Sequence, residues 1–195
     1  MTNDVLLIFL NSEKENSKLS EPLGEQKAKE INEKLQVITY YSVKSLSCKK
    51  TVWYPDDNFR NTVWISTDFK KEIQTGKYLN NKIENAFDTY IIQDNEDVNK
   101  VVFITADCPQ LTQAIIEKAF ERLNKYDVCI GPEKKGGYYL IGMKEPLPFL
   151  FANKLLSDNQ LLDATLEELI DNGKNYFLLP ELQRVNDIYD LRLLK

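Results

Sequence analysis

The sequence predicts an α/β domain built on a largely parallel sheet, and three observations carry that expectation. Apolar, strand-like runs alternate with amphipathic helical patterns along nearly the whole chain. The first run, Val5-Leu6-Leu7-Ile8-Phe9-Leu10, is continuously apolar, as a strand buried on both faces of a parallel sheet must be. A length of 195 residues suits one domain whose core needs no disulfide or metal staple.

The elements follow in order. Val5 to Leu10 opens the sheet and is expected at its centre. After the polar stretch from Asn11 to Glu21, Leu23, Ala28, Ile31, Leu35 and Ile38 recur at helical spacing. Thr51-Val52-Trp53-Tyr54 reads as the next strand, closed by Pro55-Asp56-Asp57. Patterning then weakens, with short strands expected at Val63-Trp64-Ile65 and near Glu72-Ile73. Tyr78, Leu79, Ile83, Ala86, Phe87, Tyr90 and Ile91 form a helical stripe, Lys100 to Thr105 a strand, and Ile115, Ile116, Ala119, Phe120 and Leu123 another helix. Val128-Cys129-Ile130 and Tyr138 to Met143 are strands joined by a glycine-rich turn. A helix from about Asn159 to Asp171 stops at Asn172-Gly173. Tyr176 to Leu179 is a late strand and Ile188 to Leu194 a short terminal helix. With no internal repeat and no linker, residues 1–195 read as a single domain.

Composition removes several function classes. The net charge of −5, with only four arginines among 25 basic residues, argues against a nucleic-acid binder. No apolar run approaches the ~20 residues that a membrane span needs. No basic region precedes the first apolar run, so a cytoplasmic location without a secretory signal is expected. Histidine is absent, which removes histidine-based zinc sites and histidine-dependent triads. Cys48, Cys108 and Cys129 are odd in number and widely spaced, as expected of reduced thiols. Trp53 and Trp64 are expected in the core, and the mixed charges of Glu25 to Lys34 on a solvated helix face.

Two segments could carry chemistry. Four of the seven glycines fall between Gly131 and Gly142, where an even spread would place fewer than one. Either Gly136-Gly137 is a tight hairpin turn, or the backbone there must approach a ligand closely. In the second segment, Val101-Val102-Phe103-Ile104-Thr105-Ala106-Asp107-Cys108-Pro109, a buried strand runs into an acid. Ligands bind outside the carboxyl ends of strands in open α/β sheets, so Asp107 stands where a ligand-directed carboxylate belongs. Such a carboxylate can hold Mg²⁺ or Mn²⁺ against a diphosphate. The alternative is that Asp107 caps the following helix. With no histidine to activate it, Cys108 reads as a packed thiol.

Together, Asp107-Cys108-Pro109-Gln110-Leu111-Thr112 and Gly131-Pro132-x3-Gly136-Gly137-Tyr138-Tyr139-Leu140-Ile141-Gly142 resemble a bacterial family of uncharacterised transferases. Its fold is that of the nucleotide-diphospho-sugar transferases, the glycosyltransferase-A type. Leu19-x3-Leu23-Gly24 and Gln74-x-Gly76-x2-Leu79 with Ala86-Phe87 agree with further stretches of that family in order and spacing. The resemblance implies a nucleotide or nucleotide-sugar partner, a Mg²⁺ or Mn²⁺ cofactor, and Asp107 as metal ligand and catalytic acid residue. It implies Asp187 as a second catalytic carboxylate, with Asn186 a further possible oxygen ligand. Lys18 would meet phosphate, Gly136 and Gly137 would admit the substrate, and one of Tyr138 and Tyr139 would line the cleft, because strand alternation sends the two to opposite faces.

The chain also departs from the family pattern. Asn16-Ser17-Lys18 replaces a Lys-Thr-Arg loop, Lys135 replaces the acid before the paired glycines, Leu156-Ser157-Asp158 replaces Trp-Ser-Thr, and Arg184-Val185-Asn186 replaces Asp-Val-Asp. Two functions are therefore expected. One is a metal-dependent transferase of glycosyl or nucleotidyl groups, binding metal only together with a nucleotide. The other is a catalytically degenerate scaffold that serves as a binding or interaction module.

Overall fold

A computed structural model describes residues 3–11, 17–56, 63–93, 98–152 and 158–194. Seven strands form one sheet: β1 (Val5–Phe9), β2 (Lys49–Tyr54), β3 (Phe69–Ile73), β4 (Val101–Thr105), β5 (Val128–Pro132), β6 (Tyr138–Met143) and β7 (Tyr176–Leu178). Their order is β3-β2-β1-β4-β6-β5-β7. The pairs β1–β2, β1–β4, β2–β3 and β5–β7 are parallel, and the β5–β6 hairpin inserts β6 antiparallel to β4. The expected mostly parallel sheet flanked by helices is the observed one.

The helices are α1 (Ser17–Leu23), α2 (Glu25–Val43), α3 (Leu79–Asp88), α4 (Gln113–Arg122) and α5 (Asp158–Asp171). β1 is central, and all five of its side chains are buried. Leu6 and Ile8 join one core layer with Val52, Ile104, Leu140 and Ile116 of α4. Val5, Leu7 and Phe9 join the opposite layer with Phe103, Ile141 and Ile83 and Phe87 of α3. Period-two alternation with both faces covered makes the strand read as an unbroken apolar run. A smaller cluster packs Leu19, Ala28 and Leu35 of α1 and α2 against Val185.

Three sequence expectations change. The single helical pattern from Leu23 to Ile38 is two helices, because Gly24 sits at φ +81° and breaks the run. Val63-Trp64-Ile65 is a 3₁₀ turn rather than a strand. Trp64 is fully buried there, its ring 5.2 Å from that of Phe69 and its indole N–H donating to Gln36 Oε1 at 3.2 Å. A single aromatic plug, not alternation, fixes that segment. The Glu72-Ile73 strand begins earlier, at Phe69, and forms the sheet edge. Its Lys70, Lys71 and Glu72 suit an edge that must not recruit another chain.

Candidate functional site

The parallel strands β1, β2, β3 and β4 all end at one edge of the sheet. From β1 the chain proceeds to β2 on one side and later returns to β4 on the other. The crevice between the carboxyl ends of β1 and β4 is thus a topological switch point, where ligands bind in this architecture. Strand register brings three further segments to the same edge. Because β6 runs antiparallel to β4, its first residues Tyr138 and Tyr139 lie beside the end of β4. The 133–137 turn lies next to them, and the chain after β7 crosses the same edge, with Leu182 bridging to Glu133 and Val185 N–H donating to Asp107 O at 2.9 Å.

Side chains converge across the switch point. Asp107 follows β4 and is buried. Arg184 binds it side-on, Nε donating to Oδ1 at 2.9 Å and Nη2 to Oδ2 at 2.7 Å. Asn11, just past β1, donates its amide to Oδ2 at 2.9 Å. Burial pushes the Asp107 carboxyl up, but the Arg184 charge with the Arg184 and Asn11 hydrogen bonds outweighs it and holds the group below its ordinary value. Asp107 therefore does not cap α4, whose first turn is preceded by Thr112 without a side-chain cap.

The rest of the Asp107-to-Gln110 motif holds the segment that carries Arg184. Gln110 Oε1 accepts from Gln183 N–H at 3.1 Å, and the Cys108 thiol donates to Gln183 O at 3.7 Å. Gln74, of the Gln-x-Gly-x-x-Leu segment, donates to Leu10 O at 2.8 Å and Trp53 O at 3.0 Å, tying the ends of β1 and β2 together.

A second ionic cluster lies beside the first. Lys135 Nζ donates to Asp187 Oδ2 and to Asp190 Oδ2, both at 2.8 Å. Asp190 is buried, and it also accepts from Gln183 Nε2 at 2.6 Å and Asn186 N–H at 2.9 Å. Asp187 thus pairs with Lys135. Glu133 is buried with Oε2 accepting from Lys135 N–H at 3.0 Å, while its Oε1 has no hydrogen-bond partner among the described residues. Burial raises the Glu133 carboxyl above its ordinary value.

The glycine cluster divides by cause. A Cβ on Gly131 would strike the Tyr139 ring, and one on Gly142 would come within 2.9 Å of Val102 Cγ2. Gly136 takes φ +95° in a turn closed by its N–H donating to Glu133 O at 2.9 Å. Those three answer to packing and turn geometry. Gly137 has open space where a side chain would stand. It lines a small cleft with Thr105, Tyr138, Arg184, Leu79, Phe103 and others. Tyr139 points to the opposite side and donates its hydroxyl to Pro180 O at 2.9 Å. Lys18 lies in α1, but its side chain falls outside the described residues, as do Asn16, Leu156 and Ser157.

The donor set does not fit Mg²⁺ or Mn²⁺. Such an ion needs carboxylate oxygens free to coordinate it. Both oxygens of Asp107 already accept from Arg184, and one accepts from Asn11 as well. Among the described residues, no three cysteine or carboxylate side chains gather closely enough to hold a metal ion. Sequence reasoning missed Arg184 and Asn11. The signal for Arg184 was the loss of an acid at that position together with its loss at Lys135.

Comparison with known proteins follows the same lines. The model of a family described as "Uncharacterized protein conserved in bacteria (DUF2064)" matches residues 41–157. A crystal structure of a protein from Desulfovibrio desulfuricans G20, provisionally assigned as a nucleotide-diphospho-sugar transferase, superposes with a TM-score of 0.87 at 23% identity, covering 100% of this chain and 87% of the other. CMP:2-keto-3-deoxy-manno-octonic acid synthetase complexed with CTP gives a TM-score of 0.62 at 10% identity, over 98% and 96% of the two chains. 4-Diphosphocytidyl-2C-methyl-D-erythritol synthase from Anaerococcus prevotii DSM 20548 gives 0.59 at 10%, over 98% and 93%. No curated protein matches the sequence. The fold is that of the nucleotide-diphospho-sugar transferases. No helix among the described residues is long and apolar enough to cross a membrane.

Proposed function

This chain belongs to the bacterial DUF2064 family, and from that premise we propose that it is a transferase acting on a nucleoside triphosphate or a nucleotide sugar. The observation that carries the proposal is the linked Asn11, Asp107 and Arg184 set spanning the β1–β4 switch point beside an open cleft. Nucleotidyl transfer joins an acceptor oxygen to the α-phosphorus and releases diphosphate. Glycosyl transfer joins the acceptor to the anomeric carbon and releases a nucleoside diphosphate. In either reaction negative charge builds on a phosphate leaving group, and the protein must meet it with fixed cations and N–H donors.

Arg184 offers the cation at the cleft, Gly137 admits the ligand to the backbone, and Tyr138 forms the wall. Lys18, on α1, is the phosphate contact we assign from the sequence. Gly136 shapes the turn that presents Gly137. Tyr139 and Asp187 support the site from behind, through Pro180 and Lys135 respectively. The bound CTP of the octonic acid synthetase supports a nucleotide as the ligand class.

A thermal-shift panel of nucleoside diphosphates, triphosphates and nucleotide sugars tests the proposal. A ligand at about 100 times its Kd adds about 2.7 kcal/mol, a rise of roughly 5–11 °C for a chain of this length. A flat panel would contradict it. A second reading, a binding module on a degenerate transferase scaffold, is favoured by the closure of Asp107 on Arg184. Binding without transfer to any acceptor would select that reading.

A further inference from the structure

We propose that the Arg184 guanidinium holds the place of a divalent cation at Asp107, so that the cleft receives a phosphate-bearing ligand without metal. The inference rests on the nucleotide-dependent function proposed above and concerns how that ligand's charge is met.

A carboxylate at the carboxyl end of a central strand, beside a cleft, can be neutralised in two ways. A metal ion can occupy its oxygens, or a cation of the protein can. Here Arg184 takes both oxygens in the side-on geometry that matches a carboxylate edge to edge. A metal at Asp107 would have to sit against the guanidinium's positive charge or displace it, and its segment is tethered on every side. Val185 N–H is fixed to Asp107 O, Gln183 N–H to Gln110, and Gln183 Nε2 to the buried Asp190. The Val185 side chain is locked in the cluster between α1 and α2.

The same logic repeats one step away, where Lys135 sits between Asp187 and Asp190. Asp187 and Asp190, like Asp107, have a resident cation. The Arg184 side chain also forms part of the cleft wall. A guanidinium's planar fork is the side-chain group best matched to phosphate oxygens. Its charge persists at every physiological pH, and no chelator removes it.

The experiment uses the full chain with two probes, Mn²⁺ alone and inorganic pyrophosphate. Mn²⁺ binding is read by electron paramagnetic resonance, and pyrophosphate binding by calorimetry in EDTA and again with Mn²⁺. The wild type should show no saturable Mn²⁺ binding, alone or with pyrophosphate, and should bind pyrophosphate in EDTA. Arg184→Asp should gain Mn²⁺ affinity by at least about tenfold and lose pyrophosphate affinity in EDTA by about ten- to hundredfold. If Arg184→Asp does not fold, Arg184→Asn is read in the same way.

Saturable Mn²⁺ binding by the wild type, or no gain in the variants, overturns the inference. Pyrophosphate binding only with Mn²⁺ also overturns it while leaving the proposed function standing. Pyrophosphate binding under neither condition overturns both.

Discussion

Replacing Arg184 by methionine removes the cation from Asp107 while keeping most of the side-chain length. The Asp107 side chain is 1% exposed and that of Arg184 17%, so the pair is essentially desolvated. Breaking a buried pair from one side leaves an uncompensated charge and costs about 3–5 kcal/mol. For a chain of this length that is a fall of roughly 6–20 °C in melting temperature. The loss has a distinctive pH dependence. In the wild type the Asp107 pKa lies below its ordinary 3.8, so its contribution is present above that value and is lost as pH falls through the lower folded value. Without Arg184, burial acts with less opposition and lifts the carboxyl above its ordinary value. The folded variant then binds the proton more tightly than the unfolded chain, and its penalty is relieved as pH falls. Melting temperatures of both proteins, taken from about pH 7 down to about pH 4, should therefore converge. Asp107→Asn in the Arg184→Met background should recover at least about 2 kcal/mol at neutral pH. A gap below about 1 kcal/mol, or one that stays constant with pH, would refute the assignment of Asp107 and Arg184 as a coupled buried pair.

Other substitutions probe the surrounding packing. Gly131→Ala drives a methyl into the Tyr139 ring and should cost about 1–3 kcal/mol by denaturant melt. Gly137→Ala meets open space and should leave stability within about 0.5 kcal/mol while weakening ligand binding. Lys135→Met breaks a contact between a side chain 39% exposed and the buried Asp190. Because Asp190 keeps its Gln183 and backbone donors, the loss should be only about 1 kcal/mol. Burial lifts the Cys108 and Cys129 thiols to about 12 and Cys48 to about 11. Native protein should therefore resist alkylation at mildly alkaline pH and react fully only once unfolded.

The fold was legible because its central strands are buried on both faces and so spell themselves out as apolar runs. β1 and β4 needed only their composition, and the β5–β6 hairpin was marked by Gly136-Gly137. Legibility failed where one residue outweighs the pattern around it. Gly24 divides a helix that periodicity joins, and Trp64 anchors a turn that its β-branched neighbours suggest is a strand. Of the candidate site, the sequence showed where Asp107 falls but not what holds it. Asp107 could be located by its position after β4, whereas its partner lies 77 residues away in a segment without periodicity. The density of glycines also pointed too broadly. Gly131 and Gly142 answer to Tyr139 and Val102, contacts between strands that no local pattern reveals.

The central claim is that a nucleotide binds at the β1–β4 switch point. Amide chemical-shift mapping with whichever nucleotide stabilises the protein most tests this directly. The account predicts the largest, saturable shifts at Asn11, Thr105, Gly137, Tyr138 and Arg184, with the far ends of the strands unmoved. Saturable shifts centred elsewhere, with those five amides unchanged, would contradict it.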